Sequence, residues 1–254
     1  MLKRLAAVAV AALMGFASAA QAQEEQPLNP KQVEAVKKIV REYIMANPDI
    51  IRDAIEALRE KQRLEAEEEA RKALVDRTKE IFEDPDAPVL GNPQGDVALV
   101  EFFDYRCTYC KTVAEVVFEI AKADGKLRLV FKELPILGPE SVFASRAALA
   151  ARAQNKYEDF HRAMMKLRGV VNEDSILKTA QSVGLDMDKL KKDMSAPAVD
   201  EQLKRNMELA RALDISGTPA FIIGDRIIPG VIDGDTMKKL IEQSRKPTDV
   251  LKKG

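Results

Sequence analysis

Tryptophan is absent from this 254-residue chain, histidine occurs once and cysteine twice. A structural zinc site takes about four nitrogen or sulfur ligands, and two cysteines with one distant histidine, His161, fall short on number. An excess of charge of one sign is also missing. The 40 Lys and Arg are matched by 41 Asp and Glu, for a formal net charge of −1, and no long basic run follows the N-terminus. Nothing therefore marks a nucleic-acid footprint. Apolar runs long enough to span a bilayer are lacking beyond the first twenty-odd residues. What is present suits a folded chain of one or two domains, with 46% hydrophobic residues.

Residues 1–22 have the order of a secretory signal peptide. Lys3 and Arg4 come first, an apolar stretch follows over 5–17, and Ala20-Gln21-Ala22 supplies small residues for cleavage. The apolar part is short for a permanent span, which needs about 20 residues; an uncleaved anchor is the alternative. The expected location of the mature chain is the periplasm, outside the reducing cytoplasm, with envelope association the variant of that reading.

Two cysteines in a secreted chain ordinarily read as one structural disulfide. Cys107 and Cys110, however, would close a loop of only four residues, which removes little entropy from the unfolded chain. A bridge that stabilises so little is better suited to being made and broken, with a static bridge as the alternative. Haem attachment would need histidine after the second cysteine, where Lys111 stands.

Three regions follow the signal peptide. Residues 23–83 read as a helical arm. Asn29-Pro30 and Asn47-Pro48 each give a helix start, and Val33, Val36, Val40 and Tyr43 recur along one face. Ile51, Ile55 and Leu58 extend that apolar seam before it fades into a glutamate-rich helix. A seam of this kind cannot be buried by its own helix, so residues 29–83 are expected to form a homo-oligomer or pack on the rest of the chain; a solvated helical linker is the other option. Residues 84–96 hold three prolines and two glycines and are expected to be the linker. Residues 97–246 alternate element types: a buried strand at 97–103, a helix over about 107–123, a parallel strand at 127–131 and helices at 141–154, 157–167, 173–183, 186–194 and 197–213. A hairpin about Gly224-Asp225 and a last helix at 235–245 complete them. Residues 247–254 are a charged tail.

The Cys-x-x-Cys pair thus stands after a strand and at the first turn of a helix, where unpaired N–H groups and the helix dipole favour a thiolate. Cys107 gains most and is expected to be the exposed nucleophile, with Cys110 the buried resolving thiol. Arg106 and Lys111 add positive charge that solvent readily screens. His161 is expected to be a structural or surface residue.

These motifs resemble the DsbA-type branch of the thioredoxin superfamily, and within it the ScsC-like proteins that carry an N-terminal arm. The residues that carry the likeness are Cys107-Thr108-Tyr109-Cys110, Glu101 six positions earlier, and Thr218-Pro219 after the helical stretch. The resemblance implies an α/β thioredoxin fold with an inserted helical subdomain at about 138–215, preceded by the α-helical arm. It also implies a buried acid at Glu101 that moves protons for Cys110, with a strand-rim position as the alternative. Thr218 with a cis Pro219 would dock substrate, with an ordinary trans turn as the alternative. Lys132, from the neighbouring strand, is expected to pair with Glu101. Thr108 and Tyr109 tune the pair; Tyr109 stands where strong oxidants of the family carry histidine, and its phenol retains a hydrogen bond to donate.

The implied activity is protein thiol–disulfide exchange, isomerase-like, on unfolded or misfolded secreted proteins. It needs a membrane redox partner, no metal, and no cofactor beyond the Cys107–Cys110 disulfide. A DsbA-like oxidase and a non-enzymatic envelope copper-binding or chaperone-like protein are the alternatives, the second because two thiols suit Cu(I).

Overall fold

The computed structural model describes residues 28–245, so the proposed signal peptide and the charged tail lie outside the described residues. The chain divides into two compact units between Leu58 and Arg59.

In the first unit, α1 (Pro30–Ala46) begins at the cap expected from Asn29-Pro30. Asn29 Oδ1 accepts from Gln32 N–H and Gln32 Oε1 accepts from Asn29 N–H, a reciprocal box with proline in the first turn. Pro48 interrupts the helical run, and α2 (Asp49–Asp76) restarts after it. Within this unit no residue of α1 is buried, and Val36, Val40, Tyr43, Ile51, Ile55 and Leu58 are exposed.

The second unit is built on a five-stranded mixed sheet in the order β1-β3-β2-β4-β5, comprising β1 (Val89–Gly91), β2 (Val97–Phe103), β3 (Leu127–Glu133), β4 (Ala220–Ile223) and β5 (Arg226–Pro229). β2 and β3 run parallel, as expected for a strand–helix–strand connection, and the other pairs are antiparallel. Both edge strands are short. The hairpin turns through Gly224, whose φ of 61° suits a residue without a Cβ.

Side-chain alternation divides the interior into two cores. Leu99, Phe103, Leu129 and Phe131 face one side, covered by α4 (Thr108–Asp124), α10 (Gly234–Ser244) and the inserted helices. Those helices are α5 (Pro139–Arg152), α6 (Tyr157–Lys166), α7 (Glu173–Ser182) and α8 (Met187–Met194). α5 is buried on several sides through Ala144, Ala147, Ala148, Ala150 and Ala151, whose small side chains let its neighbours approach closely. Val100, Phe102, Val130 and Leu134 face the other side, covered by α9 (Pro197–Ala212) and by residues before the sheet.

Two boundaries differ from expectation. Residues 59–83 fall in the second unit, because Leu74 of α2 and Ile81 of α3 (Thr78–Phe82) are buried in the second core. Residues 84–96 include β1 and are fastened rather than free. Pro88 O accepts from Phe131 N–H at 2.9 Å, and Asp86 O accepts from Gln202 Nε2 at 2.5 Å. The prolines and glycines ended the helix as anticipated, but a three-residue strand between them carries no periodicity to read.

Candidate active site

β2 delivers the chain to the site, and Asp104 fixes the turn that follows. Its carboxylate accepts from Arg106 N–H at 2.7 Å, Ser141 Oγ at 2.8 Å and Leu137 N–H at 3.0 Å, and its carbonyl accepts from Cys107 N–H at 3.1 Å. Cys107 then caps α4, with extended backbone at φ −70° and ψ 114°. Its sulfur accepts from Cys110 N–H at 3.3 Å, where a serine or aspartate cap would place oxygen.

Both cysteines are free thiols in the structure. The Cys110 thiol is the main cause that draws the Cys107 thiol down to about 6; burial opposes it, and the Thr218 side chain and the N–H groups of Cys110 and Tyr109 assist. Burial pushes the Cys110 thiol far up, and its own bond to Cys107 and the charge of Glu101 act in the same direction. The asymmetry expected for the pair is therefore present, with one correction. Cys107 is only 6% exposed, because the Thr218 loop lies over it and the Cys107 thiol donates to Thr218 O at 3.2 Å. The Thr218-Pro219 peptide is cis.

Glu101 is 1% exposed on central strand β2, so the rim alternative falls. Phe131 and Phe221 are its register neighbours, and its Oε1 has no hydrogen-bond partner. Burial raises its carboxyl to about 8, with the charges of Cys107 and Glu133 adding to the effect.

Lys132 does not pair with Glu101. It aligns with Phe102, so its side chain lies on the opposite face of the sheet, where Nζ donates to Asp84 Oδ2 at 2.6 Å and to Glu80 O at 2.8 Å. Strand parity forbids the expected pairing: with Glu101 opposite Phe131, the next residue turns away. Tyr109 is 68% exposed, and its phenol makes no hydrogen bond to Cys107; its backbone N–H does the tuning. Thr108 is likewise exposed in the first turn.

The sequence reading missed a second buried acid. Glu133, on the Glu101 face of β3, accepts from Ser145 Oγ at 2.7 Å, Tyr157 Oη at 2.9 Å and Tyr105 Oη at 3.3 Å. Tyr105 Oη also lies 3.1 Å from His161 Nδ1, and His161 is enclosed by Phe103, Phe131 and Tyr157. Burial raises the Glu133 carboxyl to about 8 and lowers the His161 imidazole to about 3. The two-residue alternation of 127, 129, 131 and 133 was the available signal.

A cleft of about 430 Å³, lined by Leu213, Ile215, Thr218, Pro219 and Ile227, adjoins the site at Thr218, whose carbonyl accepts from the Cys107 thiol. A nucleophile of lowered pKa, a buried second thiol, an acid behind them and an open groove together suit dithiol–disulfide exchange.

Residues 98–242 match the DSBA-like thioredoxin domain. The chain belongs to that family. Residues 32–65 match the copper resistance protein ScsC N-terminal domain. This DSBA-like chain is 46% identical to a thioredoxin-like oxidoreductase from Silicibacter pomeroyi, with a TM-score of 0.66 over 67% of this chain and 98% of that one. It is 30% identical to ScsC of Proteus mirabilis in a transitional conformation, with a TM-score of 0.64 over 86% of this chain and 99% of that one. Probable disulfide bond formation protein D of Bacillus cereus is 26% identical over 67% of this chain and 84% of that protein. The chain also spans 27% of the length of the Na(+)/H(+) antiporter NhaA of Herminiimonas arsenicoxydans, at 28% identity. No described helix is long and apolar enough to cross a membrane.

Proposed function

We propose that this protein exchanges thiols and disulfides in unfolded or misfolded proteins of the periplasm, acting as an isomerase-like assembly. The observation that carries the proposal is the unequal pair, with Cys107 drawn down to about 6 beside a Cys110 that burial keeps protonated. In the first step the Cys107 thiolate attacks a substrate disulfide, forming a mixed disulfide and releasing one substrate thiolate. Cys110 then gives its proton to the Glu101 carboxylate and attacks Cys107 Sγ. The Cys107–Cys110 bond forms, the second substrate thiolate leaves, and two electrons have passed to the substrate. Isomerisation ends earlier, when another substrate thiolate attacks the mixed disulfide and frees Cys107 unchanged. No bound cofactor takes part, and a membrane redox partner resets the pair.

Thr218, with its carbonyl 3.2 Å from Cys107 Sγ, and cis Pro219 are the docking residues. The direction toward isomerase rests on two features. Cys107 at about 6 stands closer to thioredoxin, about 7, than to the strongest oxidants, about 3.5, so the pair is a milder oxidant. The unburied seam of α1 and early α2 is the assembly surface, in keeping with the ScsC N-terminal match. Scrambled-ribonuclease refolding and insulin reduction test this: the mature protein should recover ribonuclease activity, and Cys107→Ser should abolish it. Full activity of that variant would overturn the thiol-exchange reading. A second reading, Cu(I) held by the two thiols, is favoured by the name of the matched N-terminal domain and by the free pair. Titration against a Cu(I) chelator tests it.

A further inference from the structure

A second cleft is lined by Arg106 and Thr108, the two chain neighbours of Cys107. It encloses about 420 Å³ and includes Lys111, Leu167, Arg168 and Val170. Its charges are unevenly satisfied. Arg106 is engaged, with Nη1 donating to Glu140 at 2.9 Å and to Leu137 O at 2.5 Å. Lys111 is half-buried and donates only to a neutral acceptor, Leu167 O, at 2.9 Å. Neither Lys111 nor Arg168 forms an ion pair among the described residues, whereas the nearby Arg106, Arg162 and Lys166 do. Asp104 is close enough for Lys111 to feel its charge, yet its oxygens already hold three donors. Burial and the charge of Arg168 both weigh against the Lys111 ammonium. Two cations that repel each other in one cleft are stabilised by an anion between them.

Position decides which anion this is. The basic cleft is lined by the chain neighbours of Cys107, Arg106 and Thr108, and the apolar cleft by Thr218, whose carbonyl accepts from the Cys107 thiol. A polypeptide bound with its sulfur at Cys107 and one flank beside Thr218 and Pro219 would have its other flank within reach of the basic cleft. We propose that the Lys111–Arg168 cleft is a specificity subsite that selects protein substrates carrying an acidic side chain within about three residues of the reacting cysteine, a reach of about 10 Å in extended chain. The proposal rests on the thiol-exchange reading and adds a substrate class to it.

The test uses the mature protein with its Cys107–Cys110 disulfide formed and reduced peptides that differ only in flanking Glu, Gln or Lys. The peptide thiolate attacks Cys107 Sγ, the Cys107–Cys110 bond breaks, and Cys110 leaves as a thiolate that takes up a proton. Quenched mass spectrometry gives the rate of mixed-disulfide formation. Because a flanking Glu also alters the peptide thiol itself, the informative quantity is the Glu-to-Gln rate ratio in the native protein divided by that in Arg168→Glu. Arg168 is exposed and bonds to no neighbour, so this variant and Arg168→Gln keep the fold.

At low ionic strength the divided ratio should be about tenfold, smaller for Arg168→Gln, and near one in 0.5 M salt. A divided ratio of one at low salt overturns the subsite while leaving thiol exchange standing. Failure of every peptide to react overturns thiol exchange itself, and the subsite with it.

Discussion

Cys107 and Cys110 differ by what surrounds each sulfur. Cys107 lies at the mouth of α4 with N–H groups converging on it, and Cys110 lies one turn deeper among apolar side chains. Alkylation by iodoacetamide should therefore follow a single titration near pH 6, assigned by mass spectrometry to Cys107, with Cys110 unreacted until the protein unfolds. A midpoint near 8.5, the ordinary thiol value, would remove the basis for the nucleophile assignment.

The same shift has a consequence for stability. A thiol lowered on folding contributes stability that is complete above its unfolded value and lost as pH falls toward 6. Urea midpoints of the reduced protein should gain on those of the disulfide form as pH rises from 6 to 9. Glu101 has the opposite sign: its carboxyl is raised to about 8, so its contribution is full below about 4.5 and lost as pH rises through 8. Glu101→Gln should raise the urea midpoint at pH 8 and slow Cys110-dependent turnover about a hundredfold or more, the low end of general acid–base effects. A variant that gains stability at unchanged turnover would leave Glu101 as a buried acid without a role in proton transfer.

At the scale of elements, β3 presents two charged neighbours to two different interiors. Lys132 ties α3 and the segment after it to one face of the sheet, and Glu133 gathers Tyr105, Tyr157 and Ser145 on the other. Lys132→Ala should cost about 3 kcal/mol by chemical denaturation, because Asp84 and Glu80 O lose the group that satisfies them. The Cys107 titration should stay near pH 6 in that variant. Movement of that midpoint would mean that the two faces communicate.

Elements with strong local signals were legible in the sequence. The helix starts at Asn29-Pro30 and after Pro48, the Gly224-Asp225 hairpin and the insertion helices depend on capping chemistry and periodicity, whereas the buried placement of Glu101 was implied by the family resemblance. Lys132 was misassigned because adjacency of the two strands was read without strand parity. The Glu133 cluster escaped notice because its hydroxyl partners come from the turn before α4 and from α5 and α6, a meeting that only the assembled fold creates. The lid that Thr218 forms over Cys107 is hidden for the same reason: 111 residues separate them.

For the whole molecule, the division at Leu58 determines where a truncation is informative. A chain starting at Arg59 keeps Leu74 and Ile81 in the second core, whereas one starting at the sheet strips them out. Light scattering after size exclusion should find the mature protein as an oligomer and the Arg59 version as a monomer. Monomers in both samples would remove the assembly role of Val36, Val40, Tyr43, Ile51 and Ile55.

If the clients are the misfolded chains proposed above, the short rims of the sheet bear on how the protein fares among them. Misfolded chains expose strands in search of a partner, and a long flat edge would recruit them into a growing ribbon. Here β1 offers three residues and stops at Gly91, and β5 offers four, bounded by Arg226 and Pro229. A sticky chain that reaches either rim thus meets blunt margins and finds little backbone to zip onto. Rims this short give an extended chain few backbone groups to pair with, which works against the protein becoming the seed of an aggregate.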